Sequence, residues 1–132
     1  MEISATIHST FNSHKIAVQT NASVKEMHIS QKPDGFGSSI NGGELLLLSL
    51  ATCFCNDIYR EAQKRNLTLS GVEVVVKGGF GAEGEPGSDF TYTVNVTADA
   101  SKAAIDELIR YTDNIAEVHN TLRQGVAITL VR

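Results

Sequence analysis

Two cysteines one residue apart, Cys53 and Cys55, are the side chains of this sequence best equipped for chemistry. A thiol can attack an electrophile, pass through a sulfenic acid or bind a soft metal, provided its surroundings favour the thiolate. The alternative use of either one is as a small apolar filler. The four histidines, His8, His14, His28 and His119, show no ligand spacing with the pair, so neither a metal nor another cofactor is expected. On a helix, residues two apart diverge by about 200°, and a Cys53–Cys55 disulfide is not expected.

The element that positions both thiols is a helix. Asn41-Gly42-Gly43-Glu44 reads as its start, with Asn41 capping and Glu44 reaching back, and the helix should run to about Arg65. A catalytic carboxylate is the alternative role for Glu44. Along the helix, Phe54, Leu47, Ile58, Ala51, Ala62, Cys55, Leu48 and Tyr59 form an apolar arc, which makes Cys55 a core residue. Cys53 falls on the other side with Leu46, Leu50, Asp57, Arg60 and Lys64. Leu45 to Leu50 is hydrophobic all round and needs cover on two sides, of which one sheet supplies one. A second subunit supplies the other, and Cys53 then lies near a homodimer interface in an apolar site, for which Phe36, Leu46, Leu50 and His119 are the candidate binding residues. Cys53 is too far along to feel the dipole of its own helix N-terminus, and Asp57 would raise its pKa. A reactive thiolate therefore needs a cation, with Arg60 or Lys15 as the candidates. His119 could serve as an acid/base group or as a hydrogen-bonded structural histidine. Arg60, Glu61, Lys64 and Arg65 read as the solvated end of the helix.

Around this helix, Ile3/Ala5/Ile7, Ile16/Val18 and Met27/Ile29 alternate as three strands. Val72/Val74/Val76 and Phe90/Tyr92/Val94/Val96 form a hairpin joined by the loop GGFGAEGEPGSD. Ile105, Leu108, Ile109 and Thr112 make a helix capped by Asp99 or Ser101, Ile115, Val118 and Leu122 a second piece stopped at Gly125, and Val126 to Val131 a last strand. The order βββ-α-ββ-α(α)-β is that of an α+β fold with antiparallel sheets and a buried central helix. Gly79-Phe80-Gly81-Ala82-Glu83-Gly84 imitates a dinucleotide fingerprint, but another strand follows it and nearby acids would repel a pyrophosphate.

The remaining composition narrows the partners. The 132 residues are 42% hydrophobic and carry a formal net charge of −4, consistent with a single domain spanning 1–132. Eleven Lys and Arg against fifteen Asp and Glu leave no basic patch for nucleic acid. The longest apolar run, Leu45 to Leu48, cannot span a bilayer, and the N-terminus lacks a signal-peptide layout, so a cytoplasmic location is expected.

The stretch NGGELLLLSLATCFCNDIYREAQKRN, then GVEVVVKG and the closing AEVHNTLRQGVAITLV resemble the OsmC/Ohr family of osmotically induced and organic-hydroperoxide-resistance proteins. The residues that carry the resemblance are Ala51-Thr52-Cys53-Phe54 on the central helix and Val118-His119-Asn120-Thr121-Leu122 near the end. It implies an intertwined α+β homodimer with active sites at the subunit interface, and thiol-dependent reduction of hydroperoxides with Cys53 in the peroxidatic position. The family's resolving cysteine falls on Ala116, its glutamate ten residues before the reactive cysteine falls on Gly43, and no Arg precedes position 60. The reading that follows is an OsmC-like redox protein with one working cysteine and an external thiol as resolver. The alternative is a non-catalytic relative that binds an apolar small molecule in the interface cleft.

Overall fold

The structure, a computed structural model, describes residues 1–132 as two compact units, 1–45 and 46–132. In the first, β1 (Ile3–Thr10), β2 (Ser13–Thr20) and β3 (Ser23–Met27) form an antiparallel meander in the order β1-β2-β3. Asn12 and Asn21 close its two tight turns in the left-handed region, at φ 57° and 50°, where asparagine is tolerated better than most residues. β3 ends at Met27, short of the expected Ile29, which is nevertheless buried. The unit ends in the first turn of α1 (Gly42–Lys64), and there the expected capping box is present. The Glu44 N–H donates to Asn41 Oδ1 at 2.8 Å, and the Asn41 N–H donates to Glu44 Oε1 at 3.0 Å.

The second unit holds the rest of α1, the hairpin of β4 (Leu69–Phe80) and β5 (Gly87–Ala98), then α2 (Lys102–Ile115) and α3 (Glu117–Gln124). In the hairpin Val72 faces Val96, Val74 faces Val94 and Val76 faces Tyr92, so one face of the ribbon is apolar while Glu73 and Lys77 point outward. Phe54, Ile58 and Ala62 of α1 and Leu108 of α2 lie fully buried against that face and form the core. The hairpin is longer than the sequence suggested. Gly78, Gly79 and Phe80 belong to β4 and Gly87, Ser88 and Asp89 to β5, and the Phe90 ring occupies the space a Gly78 side chain would need. Ser101 caps α2 by accepting from the Ala104 N–H, and Gly125 ends α3 at φ 74°. The single residue between the two helices, Ala116, is extended (ψ 107°) and fully buried.

Val126 to Val131 is not a strand. Val126, Ile128 and Leu130 are 62%, 97% and 79% exposed, and without a neighbouring strand in this chain their alternation has no ladder to join. The buried stripe of α1 is also rotated from the expected arc. It runs through Leu50, Phe54, Asp57, Ile58, Glu61 and Ala62, leaving Leu48 and Tyr59 exposed and Cys55 only half-buried. The rotation is possible because the carboxylates it buries are paired. Glu61 is 2% exposed but takes Lys64 at 3.0 Å and Arg60 at 3.2 Å, so it is not part of a solvated helix end. The Lys64 hydrogen bond holds its carboxyl below the usual range, ahead of the opposing effect of burial and with help from Arg60. No helix is long and apolar enough to cross a membrane.

Candidate functional site

The two cysteines flank the buried stripe of α1, one on each side, and their surroundings differ. Cys55 borders an open groove with Leu48, Ala51, Thr52, Asn56 and Val74, where nothing charged approaches it. Cys53 is half-buried and faces the start of α3. Its thiol donates to Asp57 Oδ2 at 3.8 Å, one helical turn on, and the nearby backbone N–H of Val118 favours the thiolate. Val118 is the second residue of α3, so this N–H is one of those a helix leaves without an internal partner. Burial pushes the Cys53 thiol up from its ordinary value, Val118 pulls it down, and the Asp57 and Glu117 carboxylates push it further up. The net shift is upward, which leaves the protonated thiol as the resting form at neutral pH.

Asp57 is itself 4% exposed and is held by Arg60, whose Nη1 donates to Oδ1 at 2.9 Å. The Arg60 guanidinium is thus divided between Asp57 and Glu61, with Asp57 between it and the thiol. Cys53, Asp57 and Glu117 each place a donor atom within 4.8 Å of the others, a thiol and two carboxylates that could hold a divalent cation. Glu117 and the Val118 N–H were missed in reading the sequence because they lie far from Cys53 along the chain. The signal that could have found them was there, since the resemblance already set Ala116 opposite the thiol.

The other candidates lie as follows. Lys15 is exposed on β2, Phe36 packs on Phe11 with ring centroids 5.1 Å apart, and the Glu44 carboxylate is engaged in its cap; all three belong to the first unit. Leu46 is half-buried and Leu50 is 5% exposed, both on α1. His119 is 5% exposed and packs on Tyr92 edge-on at 4.8 Å and near Phe54 at 6.1 Å. Burial and then the nearby Arg123 lower its pKa, so it is neutral at pH 7. Beside it the Tyr92 hydroxyl donates to Asp113 Oδ1, and Arg123 Nη2 binds the same oxygen at 2.6 Å. Burial, followed by this bond to Asp113, keeps the Tyr92 phenol protonated well beyond its ordinary range.

Comparison with protein families matches residues 35–131 to the model described as OsmC-like protein. The chain belongs to the OsmC family. Among solved structures it is similar to the OsmC-like protein of Mycoplasma pneumoniae, with 19% identity and a TM-score of 0.64 over 95% of this chain and 87% of that one. An OsmC-like protein of unknown function from Vibrio cholerae matches at 12% identity and a TM-score of 0.60, covering 92% and 93%. The organic hydroperoxide resistance protein OhrB of Bacillus subtilis matches at 15% identity and a TM-score of 0.56, covering 96% and 93%. At these identities the likeness is one of fold. Among curated proteins none matches the chain. In this OsmC-like chain the segment before Val118 supplies a methyl group, Ala116, where the resemblance sets a resolving thiol.

Proposed function

We propose that this chain is a thiol-dependent reductant of organic hydroperoxides, working as a homodimer in a reducing, cytoplasmic setting, with Cys53 as the attacking thiol and an external thiol as the resolver. The observation that carries the reading is the position of Cys53 on α1, near the backbone N–H of Val118 and the carboxylate of Asp57. A thiol held protonated needs a proton acceptor at the moment of attack, and Asp57 is in place for that, with Arg60 as its positioning residue. The sulfur attacks the distal peroxide oxygen, an S–O bond forms and the O–O bond breaks. The thiol proton passes by way of Asp57 to the leaving alkoxide, giving an alcohol and a Cys53 sulfenic acid. The Val118 N–H stabilises the charge that builds on sulfur.

Resolution comes from outside. Ala116 has no thiol and Cys55 lies on the far flank of α1, so a small thiol condenses with the sulfenic acid, releasing water, and a second thiol releases the mixed disulfide. Organic hydroperoxides are the substrate class in the name of the Bacillus subtilis protein of similar fold. Lys15 is proposed as a source of positive charge and Glu44 as a further carboxylate for the assembled site, with Phe36, Leu46, Leu50 and His119 as apolar walls. A second copy would cover what one chain leaves bare: β1, where Ile3 and Ile7 are 66% and 55% exposed, and the alternating segment from Val126 to Val131.

The raised Cys53 thiol favours a second reading, a non-catalytic member that binds an apolar small molecule in the interface cleft. Consumption of cumene hydroperoxide with dithiothreitol as reductant separates the two. Loss of that activity in Cys53→Ser is the expected result, and equal consumption by the variant would exclude the peroxidase.

A further inference from the structure

Between the hairpin and α3 lies a cavity of about 130 Å³ that neither cysteine lines, although it shares Leu50 and His119 with the apolar walls proposed above. Its walls are apolar: Leu50 of α1, Val76 of β4, Phe90 of β5 and Leu122 of α3. Phe90 is fixed in place, with its ring over the bare backbone of Gly78 and against Phe80 at 5.9 Å. The one buried polar side chain of the wall is His119, and neither Nδ1 nor Nε2 has a hydrogen-bond partner or contact with solvent. A buried imidazole with both nitrogens unsatisfied is costly, and such a group calls for a partner that is not part of the chain.

The chemistry of the rim restricts what that partner can be. Arg123 stands there, but its charge is matched by Asp113 at 2.6 Å, and the Tyr92 hydroxyl is turned to the same carboxylate. Neither an anion nor a cation gains an unpaired opposite charge on entering. A neutral imidazole offers one N–H donor and one acceptor nitrogen, and it therefore suits a group that accepts and donates at a single atom, which is a hydroxyl. The volume is close to the roughly 150 Å³ of an apolar cavity known to hold benzene.

We propose that this cavity is a binding site for a small neutral hydroxylated molecule with an apolar body, a phenol or short-chain alcohol, whose hydroxyl bonds to His119 while its body packs between Leu50, Val76, Phe90 and Leu122. Neither nitrogen is open to the cavity as the ring stands, so the bond requires the imidazole to turn about χ2, a torsion whose preference in histidine is broad. The site is built within one chain and stands whether Cys53 is a peroxidatic thiol or not.

The test is titration of the intact protein with phenol, followed by amide NMR, with benzene as the control that fills the same space without a hydroxyl. Phenol should shift the amides of Leu50, His119 and Leu122 and bind several-fold more tightly than benzene. In His119→Phe that preference should vanish, phenol weakening by about fivefold or more while benzene holds within about twofold. Leu122 is 42% exposed, so Leu122→Trp is compatible with folding and should close the cavity to both probes. Failure of phenol to bind up to its solubility limit would overturn the proposal. So would equal affinity for phenol and benzene in the parent, or phenol binding unchanged in both variants.

Discussion

Cys53 and Cys55 are the same residue type, two positions apart on one helix, yet the fold gives them opposite environments. On the Cys55 flank α1 meets an open groove lined by no charged side chain. On the Cys53 flank the buried Asp57 of α1, tied to Arg60, meets the start of α3, which brings the Val118 backbone N–H and a second carboxylate, Glu117. The two environments therefore do not follow from the Cys-x-Cys pair itself but from which flank of the buried stripe the later helix covers.

The largest effect expected is the loss of that stripe itself. Phe54 is fully buried between the two flanks and touches Tyr92 with ring centroids 5.3 Å apart. Phe54→Ala should cost about 3–5 kcal/mol in urea unfolding and erase the distinction between the thiols toward alkylating agents. A loss under about 1 kcal/mol would mean that the core is not centred there.

The comparison itself is broken or kept by the cysteine variants. Cys53→Ser should lower peroxide consumption by at least about 100-fold, while Cys55→Ser should stay within about twofold of the parent. Equal losses in both would show that the flanks do not differ chemically.

Asp57→Asn sharpens the point. Removing the carboxylate takes away one of the influences that push the Cys53 thiol up, so the midpoint of its pH-dependent alkylation should fall. Alkylation at neutral pH should therefore quicken, yet peroxide consumption should drop by about tenfold or more, because the proton acceptor is gone. A variant in which both rates rise would leave Asp57 as mere ballast on the thiol.

How much of this was legible in the sequence depends on whether the deciding contacts are local. The capping box of Asn41 and Glu44 and the stop at Gly125 lie within a few residues of what they cap and could be read directly, and the cap of α2 could be narrowed to Asp99 or Ser101, of which the structure uses Ser101. So could the alternating valines of the hairpin, whose partner strand follows immediately. Val126 to Val131 carries the same alternation but finds no partner in the chain, and alternation records a demand for a neighbour, not its supply. The face of α1 was misjudged for a related reason. Asp57 and Glu61 look like solvent-facing residues until the cations that neutralise them are in place, so the apolar arc alone set the stripe too far toward Cys55. Of the site, Cys53 and Asp57 were visible as neighbours on one helix, whereas Glu117, Val118 and the Tyr92–Asp113–Arg123 cluster depend on how α3 returns across the fold.

A smaller effect reports on the same return of α3. His119 takes up a proton less readily in the fold than in the unfolded chain, whose histidines titrate near 6.5. The unfolded state therefore binds the proton first as pH falls, and the stability from a neutral His119 is present above about pH 6.5 and lost progressively below it. His119→Leu should flatten the dependence of unfolding free energy on pH between about 6.5 and 5. An unchanged slope would mean that the imidazole is not enclosed.

The central claim is that Cys53 and not Cys55 is the thiol that meets an oxidant, and trapping its sulfenic acid tests this most directly. The protein would be treated with one equivalent of cumene hydroperoxide in the presence of dimedone, and the adduct located by fragmentation of the peptide that carries both cysteines. The label is expected on Cys53 with Cys55 unmodified; label on Cys55, or shared evenly between the two, would overturn the assignment of Cys53.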